Sequence, residues 1–147
     1  IRRGRRLQGE VHDNYAMALG GVAGHAGLFG SAAGVGTLAR AALRGARDDQ
    51  GVPSPLSPSF MKRAVRKSDV PGSSRALGWD TMLPTSSCGT QLSSAAFGHV
   101  GFTGTSLWID PVADRYFVLL TNRVCGNGTS DDMQRGRRTF HDEASAL

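Results

Sequence analysis

The chain has 147 residues, 39% hydrophobic and 20% charged, with a net charge of +5, which leaves room for one domain of ordinary globular composition. No apolar run approaches the ~20 residues that span a bilayer, and the opening Ile1-Arg2-Arg3-Gly4-Arg5-Arg6 has no apolar segment behind it, so it is not a signal peptide. Of the 17 basic residues 15 are Arg, gathered at Arg2 to Arg6 and Arg135 to Arg138 with no interleaved aromatic residue to stack a base, so no nucleic-acid partner is expected.

In chain order, the first marked feature is a run of glycines from Gly20 to Gly36. It has neither the Gly-Lys-Ser/Thr ending of a phosphate loop nor the proline of collagen, and suits a tightly turned segment lining a cavity. Ser31 is placed to cap a helix with Val35, Leu38, Ala39, Ala42 and Leu43 on one face and a stop at Gly45. A polar, proline-rich loop covers Arg47 to Pro58. Ser57-Pro58 opens a second helix with Phe60, Met61, Ala64 and Val65 on its apolar side.

Leu77 to Met82 predicts a short strand. Ala95 to Gly101, Thr105 to Asp110 and Tyr116 to Asn122 predict three more, and their short connections favour antiparallel neighbours. The apolar run Tyr116 to Leu120 predicts a strand covered on both faces. A final helix with Met133, Phe140, Ala144 and Leu147 on one side is placed to cover the sheet. Cys88 and Cys125 lack Cys-x-x-Cys spacing, so no metal site is expected, and they form one disulfide or stay as free thiols. The redox compartment is left open.

Two blocks carry a resemblance. The first is Gly9-Glu10-Val11-His12-Asp13 running into Leu19-Gly20-Gly21-Val22-Ala23-Gly24-His25-Ala26-Gly27-Leu28-Phe29. The second is Gly98-His99-Val100-Gly101-Phe102-Thr103-Gly104-Thr105-Ser106-Leu107-Trp108-Ile109-Asp110-Pro111, followed by Val118-Leu119-Leu120-Thr121-Asn122-Arg123. In this order they resemble the serine hydrolases that group β-lactamases, penicillin-binding D-alanyl-D-alanine peptidases and related esterases. The resemblance implies an α+β, partial β-lactamase/transpeptidase-like fold over residues 1–147. Residues 1–75 would hold the glycine-rich loop and helical region, and 76–147 an antiparallel meander backed by the C-terminal helix.

The resemblance also implies site residues. The family's third motif is Lys-Thr-Gly or a His-x-Gly variant, and His99-Val100-Gly101 matches the latter. His99 would orient a substrate carboxylate or assist proton transfer. Gly101 would let substrate lie against the strand without a Cβ clash, and the N–H of Phe102 would serve as an oxyanion-hole donor. Thr103 and Gly104 would lie beside substrate. His25 could face the pocket, although a hydrogen-bonded structural role is the stronger reading. His12, Asp13 and His25 lack a recognised metal-ligand spacing.

The family nucleophile is the Ser of a Ser-x-x-Lys motif that precedes the Gly-Glu-Val-His-Asp block, and only eight residues stand before that block here. The abrupt start therefore predicts a piece of a longer protein, its partner being the N-terminal part of the same domain. Ser59-Phe60-Met61-Lys62 fits the pattern but falls after the glycine-rich block, so Ser59 and Lys62 are read as a decoy at a helix start. No Gly-x-Ser-x-Gly elbow of the α/β-hydrolases is present. The resemblance implies acyl-enzyme hydrolysis of a β-lactam, a peptidoglycan peptide or an ester, without cofactor or metal. The alternative is a truncated homologue that binds such molecules without cleaving them.

Overall fold

The computed structural model describes residues 3–49, 55–126 and 128–147. Arg2 of the first basic cluster and positions 50–54 of the proline-rich loop lie outside the described residues. The chain forms two compact units, Ile1–Ser31 and Ala32–Leu147.

In the first unit a short helix α1, Asn14–Ala18, begins at Asp13, whose carboxylate accepts from the Ala16 N–H at 2.8 Å. This satisfies one of the orphan donors of the first turn. Arg3 donates to the carbonyls of Val11 and Asp13 at 3.1 and 3.2 Å, and Arg5 binds both carboxylate oxygens of Glu10. The glycine-rich run turns back on itself. At Gly27, with φ +113°, a Cβ would stand 2.4 Å from the Gly21 carbonyl oxygen, so no side chain fits.

Among its described residues the second unit holds three helices and a four-stranded antiparallel sheet in the order β1-β2-β3-β4. The helices are α2, Ala32–Arg47, α3, Pro58–Ala64, and α4, Ser130–Ser145. The strands are β1, Asp80–Thr81, β2, Phe97–Val100, β3, Ser106–Asp110, and β4, Arg115–Leu119. The register pairs Phe97 with Ile109 and Trp108 with Phe117, and side chains alternate between the two faces. On one face Phe97 and Ile109 pack with Ala39, Ala42 and Leu43 of α2 and Met61 of α3. On the other, Trp108 packs with Cys88, Leu92 and Ala96, and His141 of α4 stands edge-on to Phe117. The architecture is α+β, as the sequence predicts.

Four local expectations are corrected. Gly45 does not end α2, which runs on to Arg47. A Cβ at Gly45 would lie 2.5 Å from the Leu56 carbonyl oxygen and 2.7 Å from Met61 Cγ, so this glycine serves close packing instead. The strand predicted over Leu77 to Met82 shrinks to two residues. The cover predicted for β4 is only partial: Tyr116 packs against the α2–α3 cluster and Phe117 against the Trp108 cluster on the other face, but all its residues are half-buried and Leu120 beyond it is exposed, because it forms an edge of the sheet. Finally, the inward face of α4 is centred on Arg137 and His141, while Leu147 is fully exposed. Polar side chains take that face because they have specific partners in the sheet. Ser57 does open α3 as expected, accepting from the Phe60 N–H.

Cys88 is buried and Cys125 exposed, and both are free thiols. Burial pushes the Cys88 thiol up to about 11, which makes it unreactive at neutral pH. Among the described residues no helix is long and apolar enough to cross a membrane.

Candidate active site

On β2, β1 pairs with Phe97 and Gly98, so His99 and Val100 extend past its end. Gly98 is what lets the strands close up here, since a Cβ would stand 2.2 Å from the Leu107 carbonyl oxygen and 2.5 Å from the Trp108 ring. The His99 side chain is exposed and held at both nitrogens. Nδ1 lies 3.0 Å from the Val100 carbonyl oxygen and Nε2 lies 3.3 Å from Nη1 of Arg75. A carbonyl only accepts and a guanidinium only donates. The contacts therefore select the tautomer with the proton on Nδ1 and the lone pair of Nε2 toward Arg75.

Arg75 is in turn fixed by Asp80 at 3.5 Å, and Asp80 accepts from the Ser74 hydroxyl at 2.7 Å. An arginine is thus brought to the imidazole from 24 residues upstream. Nothing in the local sequence marks it; only the β1–β2 pairing beside Asp80 does. Arg75 also lines an open groove of about 440 Å³ with Arg63, Arg66, Lys67, Ser68 and Asp69. Among the described residues no carboxylate pairs with Arg63, Arg66 or Lys67. The surface beside His99 is consequently electropositive and suited to an anionic group.

The turn from Gly101 to Thr105 is anchored at every carbonyl. The Gly101 carbonyl accepts from Gly104 N–H at 3.0 Å and from Nη2 of Arg137 at 2.6 Å. The Phe102 carbonyl accepts from Nε of Arg123 at 2.9 Å, and the Thr103 carbonyl from the Arg123 N–H at 2.7 Å. The Gly104 carbonyl accepts from the Thr121 hydroxyl at 2.6 Å. The Thr105 carbonyl accepts from Gly101 N–H at 2.8 Å and again from Nη2 of Arg137 at 3.0 Å. The Phe102 ring is exposed, with the Arg123 guanidinium 4.2 Å from its centroid. Gly104 sits at φ +122°, a conformation open to glycine.

Gly101 has an internal reason to be glycine. A Cβ there would fall 2.2 Å from the Thr105 hydroxyl oxygen, so the hairpin itself excludes a side chain before any substrate is considered.

The remaining candidates lie elsewhere. His25 sits in the first unit, with Nε2 3.0 Å from the Asp13 carboxylate that caps α1. The Ala16 N–H first, and His25 second, hold the Asp13 carboxyl below its usual range. Ser59 is exposed in the first turn of α3, its hydroxyl 3.2 Å from that of Ser57. Among the described residues no hydrogen bond joins it to Lys62, and no three His, Cys, Asp or Glu side chains converge as metal ligands would. Sequence reasoning missed Arg75, which meets His99 only through strand pairing, and Arg123 and Arg137, because backbone carbonyls of a turn leave no residue signature for their partners.

The model of the beta-lactamase family matches residues 2–139, and the chain belongs to this family. Among curated proteins, one from Escherichia coli K12, named "Putative D-alanyl-D-alanine carboxypeptidase", is 36% identical over 125 residues, covering 80% of this chain and 27% of its own length. A protein of the same name from Salmonella agona is 35% identical over 129 residues, covering 82% of this chain and 28% of its own. The chain thus spans about a quarter of the length of these relatives. No solved structure matches it.

Proposed function

We propose that this chain supplies one wall of the active site of a serine hydrolase that cleaves an amide or ester through an acyl-enzyme. His99 is the polar group of a His-x-Gly motif, Gly101 keeps the strand slim, and the Phe102 N–H is an oxyanion-hole donor. The nucleophile and its base come from a Ser-x-x-Lys segment outside these 147 residues. Serine attack would create a tetrahedral oxyanion, and a donor aimed at that charge typically contributes roughly 3–4 kcal/mol to the transition state.

The observation that carries this reading is the exposed, doubly held imidazole of His99, with its Nε2 lone pair beside Arg75. An arginine there suits a carboxylate, and a peptide ending in D-alanyl-D-alanine presents one. The relatives' name supports that substrate over a β-lactam or a neutral ester.

The test is acylation of the protein from the complete reading frame by a fluorescent penicillin. Phe102→Pro deletes the amide proton and is expected to slow acylation by about 10²-fold, with the melting transition still cooperative. Acylation at the wild-type rate would remove Phe102 from the mechanism, and no acylation of the wild type would count against acyl-enzyme chemistry.

A further inference from the structure

The Gly101 carbonyl and the Phe102 N–H are the two ends of one peptide group. On the carbonyl end sits Nη2 of Arg137, at 2.6 Å. Arg137 is 8% exposed, and among the described residues no carboxylate pairs with it. Its Nε is buried and, among the described residues, has no partner. A buried guanidinium balanced only by backbone carbonyls is a costly arrangement. Burial holds its pKa below the ordinary arginine value, and the neighbouring Arg123 adds to that. Holding α4 against the sheet does not require such a residue, since a packed apolar side chain would do that without burying a charge.

Building on the proposed oxyanion role of Phe102, we propose that Arg137 is a positioning residue that fixes and polarises the Gly101–Phe102 peptide. A charged donor on the carbonyl draws electron density from the amide nitrogen and makes the N–H at the other end a stronger donor, as in any hydrogen-bonded chain. The second bond of the same Nη2, to the Thr105 carbonyl, ties the two stems of the turn together and opposes rotation of the peptide. Arg123 does the equivalent for the next carbonyl, that of Phe102, so the carbonyl side of the turn is clamped by two arginines. Because one nitrogen of Arg137 makes both bonds, a lysine ammonium can replace it in part. A neutral amide keeps a donor without the charge, and a methionine keeps only the volume.

The experiment compares Arg137→Lys, Arg137→Gln and Arg137→Met in the protein from the complete reading frame. It reads kcat and KM on an acyl-D-alanyl-D-alanine peptide and the ¹⁵N–¹H shift of the Phe102 amide. The expected order of kcat is wild type, Lys, Gln, Met. Met should lose about 10-fold, short of the ~10²-fold expected on deleting the donor itself, with KM moved less than about threefold. The Phe102 amide proton should move upfield in the same order. If Met does not fold, the Lys and Gln variants carry the comparison. Equal kcat and an unmoved Phe102 amide across the folded variants overturn the clamp. A Phe102→Pro protein that acylates normally overturns the oxyanion reading instead, so the two failures are distinguishable.

Discussion

The Nε2 of His141 lies 2.8 Å from the Ser106 hydroxyl, and both residues are buried between α4 and β3. Burial pushes the His141 pKa down to about 4; Asp142 acts the other way and Arg137 adds to the fall. The imidazole is therefore neutral in the folded protein at any pH above that value, whereas in the unfolded chain it titrates near 6.5. Between those values the unfolded state binds the extra proton. Stability should thus be full above about pH 6.5 and decline as pH falls toward 4, by an amount on the order of 3 kcal/mol. Urea unfolding at several pH values checks this. His141→Phe should flatten the profile in that window, and an unchanged slope would contradict it.

The Gly101–Thr105 contact predicts a non-additive pair. Gly101→Ala forces a methyl onto the Thr105 hydroxyl and should destabilise by about 1–3 kcal/mol. Thr105→Ala removes the obstacle, so the double variant should be more stable than the sum of the single effects predicts, by at least ~1 kcal/mol. Chemical denaturation of the four proteins measures the coupling. Additive effects would mean that the turn does not itself require glycine.

Asp110 is 2% exposed and accepts four hydrogen bonds: two from Ser93, through N–H and hydroxyl, and one each from the N–H groups of Val112 and Ala113. Burial works to raise its pKa, but the Ser93 bonds, with those of Ala113 and Val112, outweigh it and hold the carboxyl below its usual range. The stability it contributes is present above the unfolded carboxylate value and lost as pH falls through the depressed folded value. Asp110→Ala should cost about 1–3 kcal/mol, since it strands the two part-buried donors of Ser93 ahead of β2 and the Val112 and Ala113 N–H groups at the β3–β4 turn. A loss under ~1 kcal/mol in thermal unfolding would show that water satisfies them.

The strands around His99 were legible because their turns are short and their apolar pattern regular; β2 and β3 fall inside the predicted segments, and β4 begins one residue before its own. Helix α1 was not predicted, but α2, α3 and α4 were legible from their 3.6-residue spacing, with Ser57 marking the start of α3. The inner face of α4 was not. An apolar reading of Met133, Phe140, Ala144 and Leu147 misses that Arg137 and His141 are buried by virtue of partners on the β2–β3 hairpin, and those partners are two carbonyls and a hydroxyl more than 30 residues away. Gly45 misled for a related reason. A glycine needed for close approach to Leu56 and Met61 looks in one dimension like a glycine that ends a helix.

The site divides in the same way. His99, Gly101 and Phe102 stand together on one hairpin because they are neighbours in sequence, whereas Arg75 reaches His99 only through the strand pairing that places Asp80 opposite Gly98. His25 and the Asp13 carboxylate it meets share the first unit.

The account rests on the His99 imidazole facing substrate, and steady-state kinetics of His99→Ala in the protein from the complete reading frame tests it most directly. On an acyl-D-alanyl-D-alanine peptide kcat/KM should fall by about 10²-fold or more, with the unfolding transition unchanged because the side chain is exposed. A folded His99→Ala protein that turns over the peptide at the wild-type rate would contradict the account.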